Sequence, residues 1–344
     1  MLVIRPIEQR DFPTLKQFAI ESGHGFTSLP VNDPLLQQKI DDSSAAFANR
    51  GTDKSERLYF FVAEDSDTGE VIGTCAINAA VGLSAPFYTY LLGKQVHSSP
   101  QLGIYNVVET LTLTNDYTGC SELCTLFLQE SARHGLNGRL LSKSRFLFLA
   151  QFRELFDKRV LAEMRGVSDE QGHSPFWGWL QEHFFSMDFP TVDYLTGIGQ
   201  KGFIAELMPK FPIYVNLLSK DAKSVIGVTH HNTKPALRFL TEEGFIWRGY
   251  VDIFDGGPTV ECELSQIRSV QNSRQCQVKI GDVSQGRAYL ISNGQFADFR
   301  ALISEIDLVS AEPDKQGLSY VTLTEQVAQL LKVTDGDTVR LVNI

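Results

Sequence analysis

Apolar and polar positions fall in blocks along the chain, and the blocks predict its elements. "LVIRPI" opens as a short strand, and "EQRDFPTLKQFAIESG" follows at helical spacing, with Asp11 placed to cap it and Gly23 to stop it. "LYFFVAEDSDTGEVIGTCAINAA" is two apolar runs joined through Asp67, Thr68 and Gly69, the signature of a hairpin. Residues 82–108 are rich in aromatics, glycine and proline, and read as an insertion of hairpin or loop character. "SELCTLFLQESA" is an apolar strand that runs into a turn with glycines at 135 and 138. In "GRLLSKSRFLFLAQFRELF", Leu141, Phe148, Phe152 and Leu155 keep helical spacing. Phe146, Leu147 and Leu149 add apolar residues on other faces, so this helix is expected to be buried.

"RVLAEMRG" is the next strand, and "SPFWGWLQEHFFSM" a helix with Ser174 at its cap and Pro175 in its first turn. "VDYLTGIGQKGFIAELMPKFPIY" is mixed, and Pro209 and Pro212 mark a loop or a helix start. "VIGVTHHNTKPALRFLTEEGF" sets an apolar strand or helix end before a histidine doublet, His230 and His231. A helix from about Lys234 to Glu243 follows, with Asn232 or Thr233 as cap and Gly244 as stop. "FIWRGYVDIF" and "GGPTVECEL" are strands either side of a turn. From about Arg268 the texture changes to short strand-like pieces with turns at "NGQ" and "DGD" and one short helix, the pattern of a compact barrel. The expected division is a main domain over 1–267, carrying the 82–108 insertion, and a small β-rich C-terminal domain over 268–344.

Composition narrows the classes. The chain has 344 residues, is 43% hydrophobic and 21% charged, and carries a net charge of -10. That acidity argues against nucleic-acid binding by bulk electrostatics. The five cysteines are odd in number, and none sits at zinc spacing, so no metal site is expected. Buried, reduced thiols in a reducing compartment are the simplest reading. Charged residues interrupt "MLVIRPIEQRDF" where a signal peptide needs an apolar core, and no run reaches the ~18 apolar residues of a membrane span. The expectation is a cytoplasmic protein without a membrane partner.

The strongest local signal for chemistry is "LCTLFLQESARHGLNGRLLSKSRFLFL": a strand, a basic glycine-bearing turn, then a long apolar helix. Backbone N–H groups at a helix start can hold phosphate oxygens. Arg133 adds charge, and Gly135 and Gly138 let backbone approach a ligand. Neither a Walker loop nor a GxGxxG pattern is present, so an ordinary strand–turn–helix connection is equally open on these residues alone. Cys124 is a candidate nucleophile, and alternation along a regular strand puts it on the face of Leu126. No GxSxG elbow offers a serine nucleophile.

The order of these elements resembles the Gcn5-related N-acyltransferase fold. That implies an α+β, acyl-CoA N-acyltransferase-like mixed sheet flanked by helices, mainly antiparallel, with the β-rich appendage added. The fold's pyrophosphate loop, [R/Q]xxGx[G/A], matches "RHGLNG" at Arg133 and Gly138. Leu136 stands where the middle glycine belongs, and Gly135 lies one place early. "SELCTLFL", "GRLLSKSRF", "AEMRGVSDEQGHSPFW", "FFSMDF", "GFIAELMPKFPIY" and "DIFDGGPTVEC" narrow the resemblance to the arginine N-succinyltransferase family, strongest up to about Glu263. The resemblance implies transfer of succinyl from succinyl-CoA, a co-substrate rather than a bound cofactor, to the α-amine of L-arginine. His230 matches the family's proton donor, with His231 a bystander, and Leu126 its acyl-CoA contact, through backbone N–H. Candidates for the succinyl carboxylate are Arg145, Arg165 and Lys143; for the guanidinium, Asp116, Glu122, Asp169, Glu170, Asp252 and Asp255. An ornithine-preferring enzyme and an acyl-CoA-binding partner subunit are the alternatives, and a possible homo-oligomer is compatible with either.

Overall fold

Fifteen strands join into one continuous sheet among the residues described by the computed structural model, which are 1–23, 26–51, 55–200, 202–284, 286–309 and 319–344. The chain begins with β1 (Leu2–Pro6), helices α1 (Phe12–Ser22) and α2 (Asp33–Ala48), and the hairpin β2 (Leu58–Asp65) and β3 (Val71–Asn78). A long second hairpin, β4 (Thr89–Ser99) and β5 (Ile104–Thr114), precedes β6 (Ser121–Leu128), α3 (Asn137–Gln151) and β7 (Arg159–Glu163). Helices α4 (Pro175–Phe184), α5 (Phe189–Gly197) and α6 (Gly202–Leu207) lead to the short β8 (Ile213–Tyr214). Helices α7 (Lys220–Val225) and α8 (Lys234–Glu242) precede β9 (Ile246–Val251) and β10 (Pro258–Glu263). The last part holds α9 (Arg268–Asn272), β11 (Arg274–Ile280), β12 (Arg287–Asn293), β13 (Ala301–Val309), β14 (Ser319–Leu323), α10 (Glu325–Leu331) and β15 (Thr338–Asn343).

From β1 onward the strand order is β1-β2-β3-β6-β7-β10-β9-β4-β5-β8. Pairing is antiparallel except between β6 and β7 and between β11 and β14. This is the mixed, mainly antiparallel α+β sheet expected from the sequence. The expected 82–108 insertion holds most of a hairpin that runs from Thr89 to Thr114, and it extends the sheet by pairing β4 with β9 and β5 with β8. In the C-terminal part, β12 pairs with both β15 and β13, so the order β12-β15-β11-β14-β13 closes on itself. That closure gives the compact barrel. Its strand β13 also pairs with β1, at Val3 with Leu302 and Ile4 with Ala301.

Two local readings are corrected. α2 was not foreseen; it starts where the Asn32 side chain accepts from Leu35 N at 3.1 Å, with Pro34 in the first turn. Its polar-rich sequence hides a buried face of Leu36, Ile40 and Phe47. Asp11 does not cap α1, because its carboxylate is held by the Arg5 guanidinium at 2.7 and 2.8 Å. Of the strand or helix end expected before His230, the helix end is found: α7, capped by Ser219, stops at Val225 and a turn follows at Ile226 and Gly227.

α3 is the centre of the main core. All but its first turn and a few positions are buried, including Phe146, Leu147, Phe148 and Leu149. Phe148 packs its ring against Phe47 from α2, Phe61 from β2 and Phe299 from the C-terminal part, with centroids 5.8, 5.2 and 5.1 Å away. Replacing Phe148 with Ala removes this junction and is expected to destabilise the fold by about 3–5 kcal/mol, read as a lower denaturation midpoint.

Candidate active site

β6 and β7 share two register pairs, Ser121 with Val160 and Glu122 with Leu161. β6 then continues to Leu128 with no partner on that side. On its other side it pairs with β3, where Ala76 faces Cys124 and Thr74 faces Phe127. One extra residue is therefore inserted in β6, a bulge. Thr125 takes it up with φ of 52°, a left-handed conformation that a β-branched residue rarely adopts. The Thr74 hydroxyl donates to the Thr125 carbonyl at 3.1 Å and holds it there. Neither Thr125 nor Leu126 has a register partner on either neighbouring strand. Backbone hydrogen-bonding capacity is thus left over where the strands part.

A cavity of about 780 Å³ fills the gap, and Leu126, Arg133, Gly135 and Gly138 all line it. The Arg133 Nε donates to the Leu128 carbonyl at 2.9 Å and pins the turn back on the strand. Gly135 has φ of 56°, which glycine adopts without strain. Leu136 occupies the N-cap of α3 and offers no side-chain cap, so the first N–H groups of this helix have no capping side chain. A Cβ on Gly138 would meet only Phe239 at 3.5 Å and Leu128 at 3.9 Å, ordinary contacts. Packing does not require glycine there, although glycine costs about 1 kcal/mol in a helix. Open space over an uncapped N-terminus fits a phosphate.

The bulge also resets the strand's faces. Leu123, Leu126 and Leu128 pack into the α3 side of the core, while Cys124 and Phe127 pack with Phe18 and Leu36 on the α1–α2 side. Cys124 and Leu126 are therefore on opposite faces, contrary to the alternation expected of a regular strand. Burial, reinforced by Glu122, pushes the Cys124 thiol up to about 12. It is protonated at neutral pH and a poor nucleophile.

His230 is 6% exposed and sits just behind the cavity wall; the lining residues next to it are Asn232 and Thr233. Its backbone N donates to the Arg165 carbonyl at 2.8 Å. Its Nδ1 accepts from Asn232 N at 3.3 Å, so His230 caps the short turn His231–Thr233, while Thr233 holds the expected N-cap position of α8 without a side-chain capping bond. Burial, then Arg165, then His231 hold its imidazole below the ordinary range. The His231 ring lies 4.2 Å away, centroid to centroid.

The charges sort by position. Arg133, His134 and Arg139 line the end of the cavity near the α3 N-terminus. Glu21 from α1 and Asp193 from α5 line it too, and Asp193 accepts from the Thr27 hydroxyl at 2.5 Å. Sequence reasoning missed both, since no local pattern links two elements so far apart in the chain. Of the carboxylates it named, Glu122, Asp252 and Asp255 line the cavity; Asp116, Asp169 and Glu170 do not. Asp116 accepts from the Tyr250 hydroxyl, and Asp169 binds His173 in its own loop. Asp252 and Asp255 hold the tight turn, accepting N–H groups from Phe254, Asp255, Gly166 and Gly257. Burial pushes both carboxyls up. Arg145 and Arg165 line the cavity, whereas Lys143 is engaged by the buried Glu243 at 2.9 Å.

Residues 2–269 match the family model described as "Arginine N-succinyltransferase beta subunit", and residues 274–343 match that of its C-terminal domain. An "Arginine N-succinyltransferase" of Citrobacter koseri is 50% identical, over 100% of this chain and 98% of that protein. One from an Enterobacter species is also 50% identical, with the same coverage. The solved structure of arginine/ornithine succinyltransferase subunit AI from Pseudomonas aeruginosa superposes with a TM-score of 0.90 at 39% identity, covering 100% of this chain and 98% of that one. Matches that span both chains almost from end to end, together with a split β6–β7 pair over an uncapped helix, make this chain a member of the arginine N-succinyltransferase family.

Proposed function

We propose that the chain transfers a succinyl group from succinyl-CoA to the α-amine of L-arginine, releasing CoA and N2-succinyl-L-arginine. The observation that carries this is the polarity of one cavity. A basic turn and an uncapped helix N-terminus line it, Glu21 and Asp193 line it too, and the backbone at Thr125 and Leu126, with Thr125 left-handed, lies along its wall. The first suits the phosphates of CoA, and the carboxylates suit a guanidinium. An N–H at Leu126 would stabilise the oxyanion as the amine attacks the thioester carbonyl. Attack is direct, since the two thiols near the bulge, Cys75 and Cys124, are both kept protonated by burial.

His230 is proposed as the proton donor. With its pKa lowered, the ring is neutral at pH 7 and can take the proton from the attacking nitrogen, then give it to the departing CoA sulfur. Its place behind Asn232 and Thr233 implies that an intervening water or a shift of the His231–Thr233 turn completes the path. We propose the C-terminal part, 268–344, as structural support for α3; none of its described residues lines the cavity. Unpaired cysteines support a reducing, cytoplasmic setting.

The deciding assay follows thiol release from succinyl-CoA with arginine or ornithine. Release with arginine, at the higher kcat/KM of the two, is the expected result; none from folded protein overturns the reading in favour of a binding subunit. His230→Ala is expected to lower kcat on the order of 100-fold or more with CoA affinity retained. In the native enzyme, kcat falls as pH drops through a pKa below the ordinary imidazole value of about 6.5, because protonation removes the working form; the His230→Ala profile lacks that limb. Cys124→Ser keeps kcat within a few-fold, and intact-mass measurement during turnover finds no succinylated enzyme. Gly138→Ala raises the KM for succinyl-CoA several-fold while the melting temperature holds, since the added Cβ meets only ordinary contacts.

A further inference from the structure

Two arginines are almost wholly buried, and the protein treats them differently. Arg5, 1% exposed, is forked onto Asp11 and also bonded to Glu64. That is the usual solution for a buried cation. Arg145, 2% exposed, has no such partner. Its Nε donates to the Ser142 carbonyl at 3.2 Å and its Nη2 to the Ser142 hydroxyl at 3.3 Å, both on its own helix. Its Nη1 makes no hydrogen bond, and among the described residues no carboxylate forms an ion pair with it. The titratable groups that bear on it are the Cys75 and Cys124 thiols, both kept protonated by burial. Guanidinium stays charged in proteins, so α3 carries an unneutralised cation in the wall of the cavity.

We infer that Arg145 receives the far carboxylate of the acyl group, and thereby selects a dicarboxylic acyl donor over a monocarboxylic one. This rests on the acyl-transfer reading above. Its place separates it from the other anions of the reaction. Arg145 lies seven residues beyond Gly138, roughly 10 Å along the helix from the phosphate turn at 1.5 Å per residue. It rises from the helix that packs against the Leu126 face of β6, where the thioester carbonyl is proposed to bind. Arg165 serves a different region. It is influenced by Asp255 and Asp193, on the acceptor's side, and its buried Nε also lacks a partner, which suits the α-carboxylate of the amino acid. A planar fork aimed at one carboxylate needs no further donors.

The test compares succinyl-CoA with butyryl-CoA, equal in chain length but without the carboxylate, using arginine as acceptor. In Arg145→Met, kcat/KM for succinyl-CoA is expected to fall on the order of 100-fold, while butyryl transfer is unchanged or faster. Arg145→Lys keeps charge and volume but loses the fork, and is expected to lose roughly tenfold in preference; it carries the test if the Met variant does not melt cooperatively. Equal losses on both donors, an unaltered preference in either variant, or loss of preference in Arg165→Met instead, overturns the inference. A native enzyme that releases no thiol from succinyl-CoA and arginine overturns the proposed function itself, whereas an active enzyme whose preference survives Arg145→Met overturns this assignment alone.

Discussion

The divergence of β6 from β7 is the constraint on which the rest depends. Two register pairs hold the strands together, and the bulge at Thr125 lets β6 stay bonded to β3 while its other edge is released. Without the bulge, the strand would keep the phase set by Leu123 and turn Leu126 to the Cys124 face, away from α3. Left-handed threonine costs free energy, and the neighbouring structure over-determines it through the Thr74 hydroxyl and the pairing of β3 with β2 across Leu58 to Ala63. The gap needs a floor, and α3 supplies it. That helix can be buried on nearly all sides because the C-terminal part covers the face that the main sheet does not, through Leu290, Phe299, Ala301 and Val342.

Desolvation then assigns the electrostatic roles. The same burial that holds the His230 imidazole low pushes the Cys124 thiol high. The ring is held toward its neutral form and the thiol is kept protonated, although they share the neighbourhood of one cavity. Arg145 meets the same penalty but cannot shed its proton, so it waits as a fixed positive charge.

Much of this was legible in the sequence. The buried helix announced itself through apolar residues on several faces, and the hairpins through Asp67–Gly69 and the aromatic 82–108 run. The basic turn before α3 stood out by type and spacing. What escaped notice had a physical reason in each case. α2 is polar enough that only Asn32 and Pro34 marked it. The phase of β6 was misread because a bulge leaves no residue signature when its odd member is threonine rather than glycine. The apolar run before His230 left strand and helix ends both open, and the Ser219 cap at the start of Lys220–Val225 decided for the helix. Glu21 and Asp193 are brought together by tertiary structure alone.

The pairing of β1 with β13 sets the order in which the chain can be finished. Val3 meets Leu302, so β1 waits for β13, far along the chain, before its outer edge is closed. During synthesis the β2–β3 hairpin and β6 can assemble on one side of β1, while its other edge stays open to any passing strand. Closure of the C-terminal barrel is therefore the step that ends the molecule's exposure to misassembly. Contacts this distant in sequence make that step slow.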